Sequence, residues 1–242
     1  MKSYRYFDLV MAAFVAVLLV SNIASSAKIV DWGVSLYGLR LSFDGGTLLF
    51  PLSYIFGDIL TEVYGFKRAR RVIWVGFAAT AAMSAVFWIL SALPGEAQWQ
   101  QYAGDAAYIS ILGGVSSGGI IIASLVAYFF GAFSNSVILA KMKVRMEGRH
   151  LWMRTIGSTL VGQGIDTAAF IAIATFFGVF PWSLFWNLVI ANYVFKVAIE
   201  VLFTPLTYRL VSLLKRKEKE DYYDKTTTFT PFSFPASVDS RS

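Results

Sequence analysis

The chain has 242 residues and a net charge of +6, with 57% hydrophobic and only 15% charged residues, a balance that excludes an ordinary soluble domain and indicates an integral membrane protein. Basic residues in such a protein mainly mark its cytoplasmic loops, so the positive charge does not indicate a nucleic-acid partner. Cysteine is absent, which excludes disulfides and cysteine metal ligands, and we expect neither a metal nor a cofactor.

Six apolar runs are long enough to cross a hydrocarbon core of about 30 Å. They cover residues 7–30, 47–64, 72–93, 118–140, 155–178 and 183–208. Of the 21 Lys and Arg residues, all except Lys28, Arg40 and Lys196 fall on one side of these spans. The positive-inside rule makes that side cytoplasmic and places both termini there. The sequence thus predicts an all-α membrane protein with six transmembrane helices over residues 1–214, followed by a cytoplasmic, disordered tail over residues 215–242.

The second span holds two carboxylates within an apolar segment. Asp58 and Glu62 are four residues apart, so on a helix they share one face. An acidic side chain at the centre of a membrane helix costs about 2.5 to 3.5 kcal/mol, and such residues usually face a cavity or a partner. The pattern indicates a substrate or ion path, although a pair that only joins helices together would give the same spacing.

Polar side chains recur in the later spans at helical spacing. Gln163 and Asp166 lie three residues apart in the fifth span, and Lys196 and Glu200 lie four apart in the sixth. The last two are placed to neutralise each other along one helix. Across five spans, the groups expected at membrane depth are Asn22, Ser26, Asp58, Glu62, Asn135, Gln163, Asp166, Thr167, Asn192, Lys196 and Glu200. Their number favours a polar site over simple contacts between helices.

The charges of this set do not balance, because Lys196 is its one cation against four carboxylates. The excess negative charge needs protons, an incoming cation or water, and burial makes proton uptake by a carboxylate chemically reasonable. Glu62 and Glu200 are our candidates for proton coupling. The carboxylate and amide groups, with aromatic rings nearby, also suit a planar ligand rich in hydrogen-bonding groups, which is one option among many at this point.

A short pattern occurs twice in the chain. Residues 21–28 and 134–141 share the sequence Ser-Asn-(four residues)-Ala-Lys, in the first and fourth spans. Six spans split three and three give inverted halves, as in transporters that place a site at the interface between repeats. Two inverted three-helix halves are therefore one arrangement that the sequence suggests, and a chance match in apolar segments is the alternative.

The second span also carries the most specific motif. Residues 50–65 read Phe-Pro-Leu-Ser-Tyr-Ile-Phe-Gly-Asp-Ile-Leu-Thr-Glu-Val-Tyr-Gly, and Arg70-Arg71 follow. This block resembles the queuosine precursor transporters, also called the vitamin uptake transporter family. Three shorter matches to that family are Ser21-Asn22, Asp166-Thr167 and Phe195-Lys196. The resemblance covers roughly residues 7 to 212.

The resemblance implies uptake, across the inner cell membrane, of 7-deazaguanine bases with a cyano or aminomethyl substituent, which are precursors of the modified tRNA base queuosine. It implies substrate contacts from Asn22, Asp58, Glu62, Asn135, Gln163, Asp166 and Lys196. Asp58, Glu62 and Asp166 are the best candidates to contact the guanine edge or an aminomethyl cation. The expected partners are thus the 7-deazapurine base and the lipid bilayer, with no nucleic acid, and a homodimer stays open.

Two other functions fit parts of the sequence. A substrate-binding membrane subunit that depends on a separate energy-coupling ATPase complex would have a similar size and number of spans. A membrane enzyme is disfavoured, because the sequence has no histidine cluster, no nucleophile beside a base and no phosphate-binding loop. Uptake by the purified chain alone would separate a transporter from an ATPase-dependent subunit.

Overall fold

The computed structural model describes residues 4–36 and 39–232, which form a bundle of helices. The helices are α1 (Phe7–Ala27), α2 (Phe50–Tyr64), α3 (Phe66–Ala92), α4 (Ala97–Tyr102), α5 (Gly104–Ser116), α6 (Gly118–Arg145), α7 (Leu151–Phe176) and α8 (Phe185–Glu218). The predicted helical architecture is therefore confirmed.

One small sheet accompanies the helices. Strands β1 (Ile29–Leu36) and β2 (Leu39–Asp44) pair in antiparallel register between α1 and α2. Short 3-10 turns at Gly45–Leu48 and Trp182–Leu184 lead into α2 and α8. The sheet is an addition to the all-α prediction, in which this region is a loop.

Five segments of the described chain are long and apolar enough to cross a membrane. They are α1, α3, α5 with α6 as one segment, α7, and α8 with its preceding turn. α2 has only 15 residues, about 22 Å of helix, which is less than a hydrocarbon core of about 30 Å. The segments support a multi-pass membrane protein, whereas the sixth span and the orientation stay predictions.

Gly65 joins α2 to α3 without an intervening loop. Its φ of +84° lies in the region that favours glycine, and it allows the chain to reverse direction within one residue. A side chain at this position would also collide with the ring of Tyr222. The turn therefore places the end of α2 and the start of α3 side by side.

Two glycines let α6 and α7 pack backbone against backbone. A Cβ on Gly131 would lie 2.7 Å from the Cβ of Asp166, and a Cβ on Gly162 would lie 2.8 Å from the Cβ of Asn135. Small residues at such positions allow membrane helices to approach closely. The contact therefore holds Asn135 and Asp166, two of the predicted site residues, at the helix interface.

The stretch between the third and fourth predicted spans forms α4 and α5. The Ser26 hydroxyl donates to the Ile111 carbonyl at 2.8 Å and accepts from the Gly114 N–H at 2.9 Å. These bonds dock α5 on the last turn of α1. Ser26 is thereby engaged in helix packing.

The two terminal segments meet at one end of the bundle. The Tyr6 backbone N–H donates to the Glu218 carboxylate at 2.6 Å, and the Tyr4 hydroxyl donates to Glu220 at 2.8 Å. Burial and the bond to Glu220 raise the pKa of Tyr4 to about 12, so its hydroxyl stays a donor at neutral pH. We call this the basic end; it comprises the starts of α1, α3 and α7 and the ends of α2, α6 and α8.

α8 continues through Pro205 to Glu218, beyond the domain boundary predicted at residue 214. Residues 219–232, the C-terminal segment, then lie across the basic end, with Asp224 only 4% exposed. The polar composition of this segment predicts disorder. Composition does not reveal the contacts that hold the segment, because the groups that bind it belong to distant parts of the chain. The remainder of the predicted tail, residues 233–242, lies outside the described residues.

Replacing Gly162 with alanine should destabilise the protein, because the new methyl group would meet the Asn135 Cβ and the Gly131 carbonyl oxygen. We expect the usual cost of overpacking, about 1 to 3 kcal/mol, seen as a lower melting temperature by tryptophan fluorescence in detergent. Gly164→Ala is the matched control on the same helix, since the nearest atom there, Tyr193 Cε2, lies at an ordinary 3.6 Å. Equal melting temperatures for the two variants would contradict tight packing at Gly162.

Candidate functional site

Asp58 lies in the middle of α2 and is 0% exposed. The side-chain amide of Asn135 on α6 donates to Asp58 Oδ1 at 3.0 Å. The other oxygens of the pair, Asp58 Oδ2 and Asn135 Oδ1, are buried and have no hydrogen-bond partner among the described residues. The structure thus brings these two predicted site residues together and leaves each with an unused acceptor atom.

Glu200 on α8 is 2% exposed, and its Oε1 atom also lacks a hydrogen-bond partner in the described part of the chain. It lies close enough to Asp58 for electrostatic interaction. Tyr54, one turn before Asp58 on α2, interacts with both carboxylates and with Asp166. Tyr54 therefore lies near the place where α2, α7 and α8 bring their carboxylates together.

Asp166 on α7 forms an ion pair with Lys196 on α8, with 2.8 Å between Oδ2 and Nζ. The spacing of Lys196 and Glu200 predicts a pair within one helix, but the ion pair that the structure shows lies between helices. A lysine placed before its glutamate is the weaker order for such an intrahelical pair, which gains only about 0.2 to 0.5 kcal/mol at best. The contact between α7 and α8 thus determines the partner of Lys196. No described cation forms an ion pair with Glu200.

Gln163 adds a further acceptor on α7. Its side chain is 1% exposed, and its Oε1 atom has no hydrogen-bond partner among the residues that the structure describes. The preceding residue, Gly162, contacts Asn135, which places Gln163 at the level of the Asp58 pair. Thr159 and Thr167, one turn to either side, have buried hydroxyls without partners in the same described set.

Glu62 lies one turn after Asp58, yet it makes different contacts at the basic end. Its Oε1 atom accepts from Arg154 Nη2 at 3.0 Å and from Lys215 Nζ at 2.6 Å. Lys143 Nζ donates to the Glu62 backbone carbonyl at 2.6 Å and lies 3.6 Å from the same carboxylate oxygen. Glu62 is 0% exposed, so cations that the sequence assigns only to cytoplasmic loops compensate a buried charge. We call these four residues the Glu62 network.

Asn22 is not brought to the same place. Its side-chain amide donates to the Leu18 carbonyl of its own helix at 2.8 Å. α1 and α6 run in opposite directions, as the predicted inverted repeat requires. Nevertheless, Asn22 and Asn135 make unlike contacts, and the repeat stays a prediction.

Seven side chains from four helices make up the central cluster. They are Tyr54, Asp58, Asn135, Gln163, Asp166, Lys196 and Glu200. With its carboxylates ionised, the cluster has three negative charges against one ammonium group, a net charge of −2. Within the described ranges, the fully buried atoms of its carboxylate and amide groups that lack a hydrogen-bond partner are all oxygens, so the cluster suits a ligand that presents N–H donors or a positive charge. Among the described residues, no group of three or more His, Cys, Asp or Glu side chains is arranged to hold a metal ion.

Comparison with known proteins gives a family match over residues 44–210, to the family described as "Putative vitamin uptake transporter". The "Probable queuosine precursor transporter" of Bacillus subtilis is 27% identical over 188 residues, which cover 77% of this chain and 78% of that protein. The "Queuosine precursor transporter" of Escherichia coli is 25% identical over 198 residues, covering 81% and 84%. No solved structure matches the chain. The matched region contains the whole central cluster and excludes Asn22 and the C-terminal segment.

Removing the charge of Lys196 alone should destabilise the protein more than removing the whole ion pair. Lys196→Met leaves Asp166, whose side chain is 11% exposed, in the bundle without its partner, and breaking a buried pair typically costs about 3 to 5 kcal/mol. The double variant Lys196→Met/Asp166→Asn leaves neither charge behind. Melting temperatures in detergent should therefore fall further for the single variant, and a double variant that melts lowest would contradict the pairing.

Proposed function

The chain belongs to the vitamin uptake transporter family, and from that premise we propose that it is a membrane transporter that imports queuosine precursors. The curated relatives carry that activity in their names. The single observation that carries the proposal is the set of buried acceptor atoms in the central cluster that have no partner in the described chain. A buried polar atom left unpaired costs about 1 to 3 kcal/mol, so a ligand that supplies donors to several such atoms gains binding energy.

The proposed substrates are 7-cyano- and 7-aminomethyl-7-deazaguanine. The guanine edge of both presents two adjacent N–H donors, which a carboxylate accepts as a parallel pair. Asp58 and Glu200 each have an oxygen free for this contact, and the amide groups of Asn135 and Gln163 supply further acceptors. The ammonium group of Lys196, held by Asp166, is the donor suited to the carbonyl oxygen of the base.

We leave Asn22 and Glu62 out of the proposed contacts. The Asn22 amide is bonded to its own helix, and the Glu62 carboxylate is bonded to Arg154 and Lys215. Asn22 is a candidate from the polar set and the family resemblance, and Glu62 also from its spacing to Asp58, but neither observation shows which partners the side chains find.

We infer the orientation from the termini and the cations. Residues 4–6 bind α8 and Glu220, so both terminal segments lie on one side, which requires an even number of crossings. With five long segments, we propose α2 as a short sixth crossing. We infer that the basic end faces the cytoplasm of the cell's inner membrane, in accordance with the positive-inside rule.

Proton coupling is the part of the proposal that the charges of the cluster support. Asp58 and Glu200 are buried and lie within electrostatic range of each other, and Glu62 adds a further negative charge that acts on Asp58. The neutral Tyr54 hydroxyl lies near both carboxylates and near Asp166, and Lys196 is the ion-pair partner of Asp166. Two neighbouring carboxylates in a low-dielectric site cannot both stay ionised at low cost unless a cation joins them. A proton or a cationic substrate supplies that charge. We therefore assign coupling to Asp58 and Glu200, in place of Glu62 and Glu200, because Glu62 has its own cations.

Liposomes that contain only this purified protein should take up labelled 7-aminomethyl- and 7-cyano-7-deazaguanine. Asp58→Asn and Glu200→Gln should each reduce the uptake rate at least about tenfold, because each removes a charge-assisted acceptor. Glu147→Gln is the matched control, since Glu147 is a carboxylate exposed at the basic end. Binding without uptake would favour a subunit that depends on an ATPase complex. The absence of both binding and uptake would exclude these substrates.

The two substrates should differ in their need for a proton gradient. The aminomethyl form is cationic at neutral pH and brings a charge to Asp58 and Glu200, whereas the cyano form is neutral and needs a proton to accompany it. We expect a proton gradient directed into the liposomes to accelerate uptake of the cyano form several-fold more than that of the aminomethyl form, measured in the same liposomes. Collapse of the gradient with an uncoupler should abolish the difference. Uptake of both forms at rates independent of the gradient would contradict proton coupling.

A further inference from the structure

The C-terminal segment is held at the basic end by contacts with several distant elements. The Tyr222 backbone N–H donates to the Val63 carbonyl, in the last turn of α2, at 3.3 Å. The Asp224 carboxylate accepts from the Phe66 N–H, at the start of α3, at 2.9 Å. Because a carboxylate at a helix N-terminus satisfies an otherwise unpaired N–H and complements the helix dipole, this is a specific cap.

The second half of the segment is fixed along α3. Arg70 Nη1 donates to the Thr230 carbonyl at 2.7 Å, and Trp74 Nε1 donates to the Pro231 carbonyl at 2.9 Å. The Phe229 ring lies 5.3 Å from that of Phe66, between ring centroids. Side chains of the bundle thus bind main-chain atoms of the segment, which is a built contact and not a loose association of charges.

Asp221 connects the segment to the Glu62 network. Its carboxylate is bonded to Lys143 Nζ, and its Oδ1 atom lies 2.8 Å from Lys215 Nζ. Both lysines also contact Glu62, so Asp221 brings a second negative charge to a network in which Arg154 is the third cation. Without Asp221, one carboxylate would face three cations, two of them almost fully buried, and the closed arrangement would lose much of its charge compensation.

The pKa of Asp221 shows that this contact is not a pH sensor. Burial acts to raise it, but the hydrogen bonds and charges of Lys143 and Lys215 outweigh burial and hold the pKa below its usual range. A carboxylate with a depressed pKa contributes stability above its unfolded value of about 4, and the contribution is lost as the pH falls through the folded value. Asp221 therefore stays ionised at cytoplasmic pH.

The helix that carries Asp58 ends in this network. Glu62 lies one turn after Asp58 on α2, so a movement that separates Glu62 from its cations also moves Asp58. We propose that the C-terminal segment is a latch, which holds the basic end closed through Asp221 and must release Lys143 and Lys215 before α2 and α6 separate toward the cytoplasm. The latch rests on the proposed function in one respect, that the basic end is the exit for substrate.

Cysteine labelling tests the latch without any substrate. The chain has no native cysteine, and Ser136, 2% exposed, accepts a hydrogen bond from Thr61 between α6 and α2. Ser136→Cys should react slowly with a maleimide in purified, detergent-solubilised full-length protein. Adding Asp221→Asn should accelerate the reaction about tenfold, as expected for loss of charge-assisted bonds, and Asp221→Glu should restore most of the protection.

Two further comparisons decide between a latch and general loosening. Ser84→Cys is the matched control, because Ser84 is 4% exposed on α3, about 27 Å along the helix from Phe66, and its labelling should not change. Phe229→Ala should accelerate labelling of Ser136→Cys without removing a charge, and it serves if Asp221→Asn does not fold. Unchanged labelling at Ser136→Cys in both variants, or equal acceleration at Ser84→Cys, would overturn the latch. No substrate is added in these labelling experiments, so their outcome does not depend on the result of the uptake experiment.

Discussion

A charge buried among membrane helices needs a partner, and this electrostatic constraint governs the arrangement of the bundle. Among the described residues, the four carboxylates of the central cluster and the Glu62 network meet the constraint in different ways. Glu62 is surrounded by three cations, and Asp166 forms an ion pair with Lys196. Asp58 receives only an amide hydrogen bond, and Glu200 has no cation among the described residues. In the part of the chain that the structure describes, Asp58 and Glu200 are therefore the two of these four carboxylates without a compensating cation.

The close contact of α6 with α7 sets the geometry in which those groups meet. Gly131 and Gly162 allow the two backbones to touch at the level of Asn135 and Asp166. Asn135 then faces Asp58 on α2, and Asp166 faces Lys196 on α8. The close packing of α6 and α7 thus fixes the positions of Asn135 and Asp166, which contact α2 and α8. Packing and electrostatics are not separable here, because a shift of α6 against α7 would change both pairs together.

Much of this was predictable from the sequence, and the failures have physical causes. The helical architecture and the family follow from hydropathy and a specific motif, and the cost of burying charge makes the acidic residues of the helices the site candidates. Which side chains pair does not follow, because the spacing of Lys196 and Glu200 describes one helix, whereas Asp166 comes from another. Likewise, Lys143 and Arg154 look like ordinary cytoplasmic cations, and only the fold shows them bound to Glu62. The contacts of residues 219–232 depend on Arg70, Trp74 and Phe66, about 160 positions earlier.

The two kinds of carboxylate on α2 suggest how binding and closure are linked. Asp58 and Glu62 are one turn apart on a rigid helix, so they move as a unit, yet one lies in the central cluster and the other in a network of cations. A ligand or proton that joins Asp58 and Glu200 removes repulsion between α2 and α8, while the Glu62 network ties the same two helices together through Lys215. Neutralisation of the cluster therefore lowers the need for that tie. On the proposed function, the central cluster and the basic end are thus linked through α2, with no contact between ligand and Glu62 required.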